Sequence, residues 1–214
     1  MDIRSKVLEI RNERNFTAFQ AYFRTHPKEI SDLVQLINEQ EAYPIPEYAS
    51  WILVHLSKDN PVSIQPFYKL LIEALFKNNN QSVRRNLINV IDHLELSDYK
   101  ESDFIDVLIS YIQDFENKVA VQVYSIQVLT KFVRRHPELK DEILEIIVLH
   151  SENKSPAYGS SLRKFQRKTK NISSLFFNLN SLSIYRCFRY IIENILKIIS
   201  TMYCIVQFKT YIFV

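Results

Sequence analysis

The feature that most constrains the fold is an apolar pattern that recurs every 38 residues along the chain. Five positions of one segment align with five in each of the next two: Ile45, Ala49, Ile52, Leu53 and Leu56 with Val83, Leu87, Val90, Ile91 and Leu94, and with Val121, Ser125, Val128, Leu129 and Phe132. The intervening segments share the offset through Phe67, Leu70 and Leu71, then Ile105, Leu108 and Ile109, then Ile143, Ile146 and Ile147. A helical hairpin exposes an apolar face on each side, and stacking at constant spacing buries it. The period therefore predicts a stack of helical hairpins.

Helical spacing of the apolar residues and the positions of chain breakers predict where the helices lie. We expect helices near 2–12, 16–25, 28–40, 46–58, 62–77, 81–95, 102–116, 118–135 and 138–151. Breakers such as His26-Pro27, Asn60-Pro61 and His136-Pro137 separate them. Short links between helices of this length make neighbours antiparallel.

The scarcity of glycine agrees with this architecture. Gly159 is the single glycine among 214 residues. Phosphate-binding P-loops, dinucleotide-binding loops and hydrolase nucleophile elbows each need two or more glycines, so their motifs are excluded. Because β-hairpins also consume glycine, the composition favours helices joined by tight polar turns. Gly159 itself is expected to mark the end of the regular stack.

One segment resembles a known repeat family. Val83-Arg84-Arg85-Asn86-Leu87-Ile88-Asn89-Val90-Ile91-Asp92-His93-Leu94 is similar to the second-helix pattern V-R-x-x-A-a-x-a-L-x-x-L of HEAT and armadillo-like repeats. The resemblance covers about residues 27–170 and looks like a small, stand-alone solenoid of bacterial type. It implies an all-α, right-handed α-α superhelix of about four hairpins, preceded by an N-terminal helix pair over 1–26. The family's arginine after valine occurs only at Arg84, and Pro46 and Gln122 replace it in the flanking units, which weakens any ladder of polar contacts implied by the resemblance.

The fourth unit is expected to end in a degenerate capping helix. Its second helix is predicted over 160–170, where Leu162 and Phe165 are the apolar anchors. A helix that is polar outward and apolar on one side is typical of the end of a solenoid. The helix carries a basic cluster of Arg163, Lys164, Arg167, Lys168 and Lys170. This cluster is either a solvated face or a contact for an acidic partner or RNA.

The candidate partner-binding site lies on the second helices, opposite the core positions. At the 38-residue offset it forms three rungs: Tyr48, Asn86 and Tyr124; Trp51, Asn89 and Gln127; His55, His93 and Lys131. In α-solenoids this helix layer usually lines the concave surface. Aromatic anchors bury area in an interface, and amides can hydrogen-bond an extended backbone. We expect a protein partner here; the alternative is a solvated polar face with Trp51 partly packed.

The charge distribution disfavours nucleic acid as the partner. Residues 1–162 carry 18 basic and 23 acidic side chains, and nucleic acid is bound largely through phosphate neutralisation. Some HEAT-like proteins are DNA glycosylases that cradle a duplex in a basic groove. The groove layer here offers mainly Arg84, Arg85 and Lys131, so a DNA-repair enzyme or nucleic-acid-associated protein is the alternative hypothesis.

We expect no catalytic residues, no metal site and no cofactor. The five histidines never form H-x-x-x-H or H-E-x-x-H, and the two cysteines lack zinc-site spacing. Gly159-Ser160-Ser161 resembles only the opening of the G-S-S-x-M-P loop of the fumarase/adenylosuccinate lyase superfamily, and Arg163-Lys164 stand in place of Met-Pro. A lyase activity is therefore disfavoured. The charged first residues lack the apolar stretch of a signal peptide, so the predicted location is cytoplasmic.

Residues 171–214 depart from the repeat pattern. They hold nine isoleucines and nine phenylalanines or tyrosines, with four basic residues against one acidic residue. Three interpretations remain: an amphipathic helix that covers the stack or meets a partner, a membrane-surface helix, or a non-native terminus. Glu193 and Lys197 interrupt the apolar run, so no transmembrane span is expected.

Overall fold

The protein is described by a computed structural model over residues 2–13, 16–38, 43–152 and 155–172, and these residues contain helices and no strands. Its α-helices are α1 (Ile3–Glu13), α2 (Phe16–Thr25), α3 (Ile30–Asn38), α4 (Ile45–Asp59), α5 (Pro61–Ile64), α6 (Tyr68–Lys77), α7 (Gln81–Asp92), α8 (Glu101–Gln113), α9 (Val119–Arg135), α10 (Lys140–Leu149) and α11 (Pro156–Thr169). Short 3₁₀ turns precede three of them, at Pro27–Glu29, Gln65–Phe67 and Pro137–Leu139. The all-α prediction is confirmed.

The helices form hairpins that stack in two layers. α3 pairs with α4, α6 with α7, α8 with α9, and α10 with α11. The second helices of these pairs, α4, α7, α9 and α11, follow one another in one layer, and α1 and α2 pack on α4. Adjacent second helices contact each other far more extensively than adjacent first helices do. The stack is therefore an α-solenoid in which the second helices form the more closely packed layer.

The 38-residue pattern identifies the core. All fifteen aligned second-helix positions are buried, from Ile45 at 6% exposure to Phe132 at 0%. Ser125, the one polar member, donates its hydroxyl to Val121 O, which satisfies it inside the core. Burial of a large aliphatic side chain contributes roughly 1.5–3 kcal/mol. The first helices follow the pattern less strictly, since Leu70 is exposed.

Several helix boundaries differ from the prediction for local reasons. The helix expected over 62–77 is divided into α5, a 3₁₀ turn and α6, because Pro66 in the turn has no N–H to donate. α8 ends at Gln113 rather than at 116, since Asp114 adopts an extended conformation. α7 ends at Asp92 rather than at 95.

Gln122 makes a polar contact comparable to that of Arg84. Arg84 donates from Nε to Asn78 O, which follows the last residue of α6. Gln122, 38 residues later, donates from Nε2 to Asp114 O and Ile112 O at the end of α8. Both side chains therefore satisfy carbonyl groups that a helix end leaves without an intrahelical partner. The arginine is replaced, but the contact is retained.

The last helix is more complete than predicted. α11 begins at Pro156, so Gly159 lies inside its first turn and not ahead of the helix. The fully buried anchors are Tyr158 and Phe165, whereas Leu162 is only partly buried. Tyr158 precedes the predicted helix start at 160, but it belongs to α11, packs in the core and donates its hydroxyl to Ile147 O at 3.1 Å.

Residues Met1–Ile172 form one compact unit. The segment 173–214 lies outside the described residues, so the three interpretations of the C-terminal tail stay predictions. The division into an N-terminal pair, a repeat region and a tail also stays a prediction.

Candidate functional site

Two of the cavities in the described part of the chain lie along the second-helix layer. One lies between α1, α4 and α7, has a volume of about 440 Å³ and is called the aromatic pocket; it is lined by Ile10, Arg11, Tyr43, Glu47, Tyr48, Trp51, Ser82, Arg85 and Asn86. The other lies between α9 and α11, has a volume of about 390 Å³ and is called the basic pocket; it is lined by Asp92, Gln127, Thr130, Lys131, Arg134, Ser161, Lys164, Arg167 and Lys168.

Aromatic rings from α4 form one wall of the aromatic pocket. Tyr48 and Trp51 form this wall, and His55 continues the row one turn beyond it; spacings of three and four residues place all three on one side of the helix. The rings of Tyr48 and Trp51 meet edge to face at 6.0 Å, and those of Trp51 and His55 at 4.6 Å. Tyr48 and Trp51 are partly buried and pack against the core. The wall is thus anchored from behind by the core and leaves part of each ring accessible.

Asn86 forms the floor of this pocket. Its amide nitrogen donates to Ser50 Oγ at 3.0 Å and to Glu47 O at 3.4 Å, which joins α7 to α4. Its amide oxygen accepts from Nε and Nη2 of Arg85 at 3.2 and 3.1 Å. The floor therefore has a fixed conformation before any partner arrives.

The charged groups of the aromatic pocket are held by neighbours, with one exception. The Arg11 guanidinium lies 5.8 and 5.9 Å from the ring centres of Tyr43 and Tyr48, a distance at which a cation is attracted by the ring face. Glu47 Oε1 accepts from the Asn80 side chain at 2.6 Å. Glu47 Oε2 is buried and has no hydrogen-bond partner among the described residues. An incoming donor would satisfy that oxygen.

The two histidines of the third rung are partly buried beside the layer. Burial, and to a smaller extent Lys58, lower the pKa of His55. Burial also lowers the pKa of His93, where Asp92 opposes the effect and Lys58 and Lys131 add to it. His93 Nε2 is buried without a hydrogen bond to any described residue. Both shifts favour neutral imidazoles.

The basic pocket combines a satisfied lysine with cations that lack acidic partners. Lys131 Nζ donates to Asp92 O and Leu94 O at the end of α7 and lies 3.5 Å from Asp92 Oδ1. Within the described ranges no ion pair or hydrogen bond engages the remaining cations, which are Arg134, Lys164, Arg167 and Lys168. Like charges placed together in one concave site create a focused positive potential.

The structure brings some of the predicted residues together and separates others. Tyr48, Trp51 and Asn86 share the aromatic pocket, while Gln127, Lys131, Lys164, Arg167 and Lys168 share the basic pocket. The lining of these two pockets does not include His55, Asn89, His93, Tyr124, Arg163 or Lys170. Asn86 and Asn89 are buried, at 4% and 8% exposure. Asn86 still lines the floor of the aromatic pocket, whereas Asn89, which is predicted to face the groove, lines neither pocket.

Sequence reasoning missed several lining residues. Arg11 comes from the N-terminal pair and Tyr43 from the link before α4, and neither belongs to the repeat whose register predicted the site. Arg134 lies one helical turn after Lys131 on α9, so its spacing was an available signal. Arg84 was expected in the groove but instead bonds the end of α6.

Among the described residues, no group of three or more His, Cys, Asp or Glu side chains could hold a metal ion. The helices in the same part of the chain are each too short or too polar to cross a bilayer.

Stacked antiparallel hairpins with a common offset make this chain an α-helical repeat protein. A family model described as a HEAT repeat domain matches residues 3–170, and the chain belongs to the HEAT repeat family. The match extends the resemblance, expected from about residue 27, into the N-terminal helix pair. No curated protein and no solved structure matches the chain.

Proposed function

We propose that the protein is a non-catalytic interaction module that holds a segment of a partner protein in the aromatic pocket. HEAT repeat proteins often serve in protein interaction. The observation that supports this site most directly is the aromatic wall of Tyr48 and Trp51 over a fixed polar floor. Tyrosine, tryptophan and arginine are the residues that most often contribute strongly to protein interfaces.

The chemistry of the pocket suits a short peptide segment. The partly buried rings offer apolar area to an incoming side chain, and Arg11 and Arg85 border that area. The buried Glu47 Oε2 is an acceptor without a partner among the described residues, and a backbone N–H or a hydroxyl of the bound segment would donate to it. Satisfying a buried carboxylate oxygen contributes to affinity, because an unpaired charged acceptor is costly.

The test compares two tyrosines at equivalent repeat positions. Tyr48 lines the aromatic pocket, whereas Tyr124 is also partly buried, lies two repeats further on and does not line it. Pull-downs from the native host with the full chain, quantified by mass spectrometry, would use wild type, Tyr48→Ala and Tyr124→Ala. We expect Tyr48→Ala to lose a set of proteins that wild type and Tyr124→Ala both retain.

The same experiment can exclude the site. If both variants lose the same proteins, or if neither loses any, the aromatic pocket is not the binding site. Circular dichroism of each variant establishes that a loss of binding does not come from unfolding. The cytoplasmic location expected from the sequence stays a prediction, which microscopy of the tagged full chain would test.

A further inference from the structure

The basic pocket carries positive charge that its surroundings do not neutralise. Lys164, Arg167 and Lys168 are spaced by three and four residues on α11, so they share one side of that helix, and Arg134 approaches from α9. All four side chains are exposed. None has an acidic partner in the part of the chain that the structure describes.

Arg135, the neighbour of Arg134 on α9, is neutralised by carboxylates. Its guanidinium pairs with Asp98 and with Glu101, the latter at 2.8 Å, on the side of α9 that faces the α7–α8 link. The other carboxylate oxygen of Glu101 contacts His136 Nε2. The fold therefore places carboxylates against Arg135 but leaves Arg134, its immediate neighbour, without one in the described residues.

We infer that the basic pocket binds an acidic segment of a protein partner. The inference deepens the proposed function and rests on it, since it adds a second contact on the same layer of second helices. The guanidinium groups of Arg134 and Arg167 suit carboxylates, which they can bind through two parallel hydrogen bonds. The two lysines would add positive charge on the same side of α11.

The hydroxyl groups of the basic pocket already donate within the protein, so the cations are its main donors to a ligand. Thr130 donates its hydroxyl to Ile126 O at 2.7 Å, and Ser161 donates to Val123 O at 3.5 Å. Both hydroxyl hydrogens are therefore engaged within the protein. A ligand that enters the pocket meets mainly guanidinium and ammonium donors, which select for negative charge.

The observations favour an acidic peptide over nucleic acid. A duplex engages a long row of cations, because each neutralised phosphate adds to the affinity. Here four unneutralised cations lie in one cavity of about 390 Å³, and Asp92 lies in its wall. Further along the layer the aromatic pocket contributes Glu47, and residues 1–162 carry more acidic than basic side chains. The charge pattern suits a short run of carboxylates.

The C-terminal tail does not provide the missing anions. Residues 171–214 contain four basic residues and one acidic residue. A segment of this charge is repelled by the basic pocket, so an acidic segment from another protein is the complementary occupant.

Fluorescence anisotropy with the full chain tests the inference. The probes are a fluorescein-labelled oligoglutamate peptide and, in a parallel arm, a labelled oligothymidine of equal charge. The test variant is Lys164→Gln/Arg167→Gln. The matched control is Arg163→Gln/Lys170→Gln, which removes the same charge from the same helix region at exposed positions outside the pocket lining.

We expect the test variant to bind oligoglutamate about tenfold more weakly than wild type, because each lost charge-assisted hydrogen bond is worth more than a neutral one. The control should change the Kd by less than about twofold, since exposed charges outside the site are screened. Equal losses in the two variants, or no binding of oligoglutamate by wild type, would overturn the inference. Tighter pocket-dependent binding of oligothymidine would also overturn it, in favour of nucleic acid. None of these results affects the Tyr48 comparison, so the proposed function can stand or fail separately.

Discussion

The aromatic and basic pockets are of similar size and lie on the same helix layer, but they differ in how their charged groups are satisfied. In the aromatic pocket Asn86 engages Arg85, and the rings of Tyr43 and Tyr48 attract Arg11. In the basic pocket Arg134 and Arg167 have no acidic partner among the described residues. Apart from the acceptor Glu47 Oε2, the aromatic pocket offers mainly shape and apolar area, whereas the basic pocket offers electrostatic attraction through its unneutralised cations. Binding at the first should depend little on salt, and binding at the second strongly.

The largest expected effect comes from removing the buried side chain that anchors one wall of the basic pocket. Phe165 is fully buried and anchors α11 in the core, behind the basic pocket. Phe165→Ala should lower the free energy of unfolding by about 3–5 kcal/mol through lost burial and the cavity that remains. Urea denaturation followed by circular dichroism measures this. Oligoglutamate binding should be lost as well, while the Tyr48-dependent proteins are retained wherever the variant is folded.

A matched phenylalanine provides the control. Phe115 is 70% exposed, so Phe115→Ala should change the free energy of unfolding by about 0.5 kcal/mol or less. If Phe165→Ala also cost so little, α11 would not be held by its buried ring, and the wall of the basic pocket would have another origin.

A smaller effect is expected at the floor of the aromatic pocket. Asn86→Ala removes the amide that joins α7 to Glu47 O and Ser50 Oγ. Because buried polar groups would lose their partner, the free energy of unfolding should fall by about 1–3 kcal/mol. Asn89→Ala is the control on the same helix, since the Asn89 amide makes no hydrogen bond within the described ranges. Thermal unfolding of both variants should rank Asn86→Ala as the less stable; the reverse order would mean that the floor is not held by this amide.

The smallest expected effect is a difference in stability between substitutions of two adjacent arginines of α9, one paired with carboxylates and one without such a partner among the described residues. Arg135→Gln breaks the ion pairs with Asp98 and Glu101 and should cost about 0.5–1 kcal/mol at low salt. Arg134→Gln breaks no such pair in the described part of the chain, so it should leave stability unchanged or raise it slightly. Chemical denaturation at low and high salt gives both values. A larger loss for Arg134→Gln would show that this cation is paired after all.

Much of the fold was predictable because the apolar residues that must pack together in the core of a repeat stack recur at its 38-residue period. The aligned positions from Ile45 to Phe132 are buried as the 38-residue offset predicts. The predicted helix boundaries are wrong where the 38-residue period does not determine them. Tyr158 lies before the predicted start of the last helix, and Pro66 breaks a helix whose apolar pattern continues past it. Local backbone chemistry decided the outcome at both places.

The candidate site was predictable only in part, for a related reason. The repeat register led to Tyr48 and Trp51, which it places on one side of α4. It could not lead to Arg11 or Tyr43, because their positions depend on how non-repeated segments dock. It also led to Asn89, which is buried and lines neither pocket, since a helical pattern does not reveal how closely neighbouring helices pack. At Gln122 the residue type differs from Arg84, the equivalent residue one repeat earlier, but the hydrogen bond to the end of the preceding helix is kept.

The unequal packing of the two helix layers has a consequence for local stability. Segments with few contacts open locally at a lower free energy than densely packed ones. The second helices are the dense layer here, so we expect the backbone amides of α3, α6, α8 and α10 to exchange with solvent sooner than those of α4, α7 and α9. Both pockets are lined mainly by the second helices. The binding surfaces are therefore placed on the layer that is expected to open last.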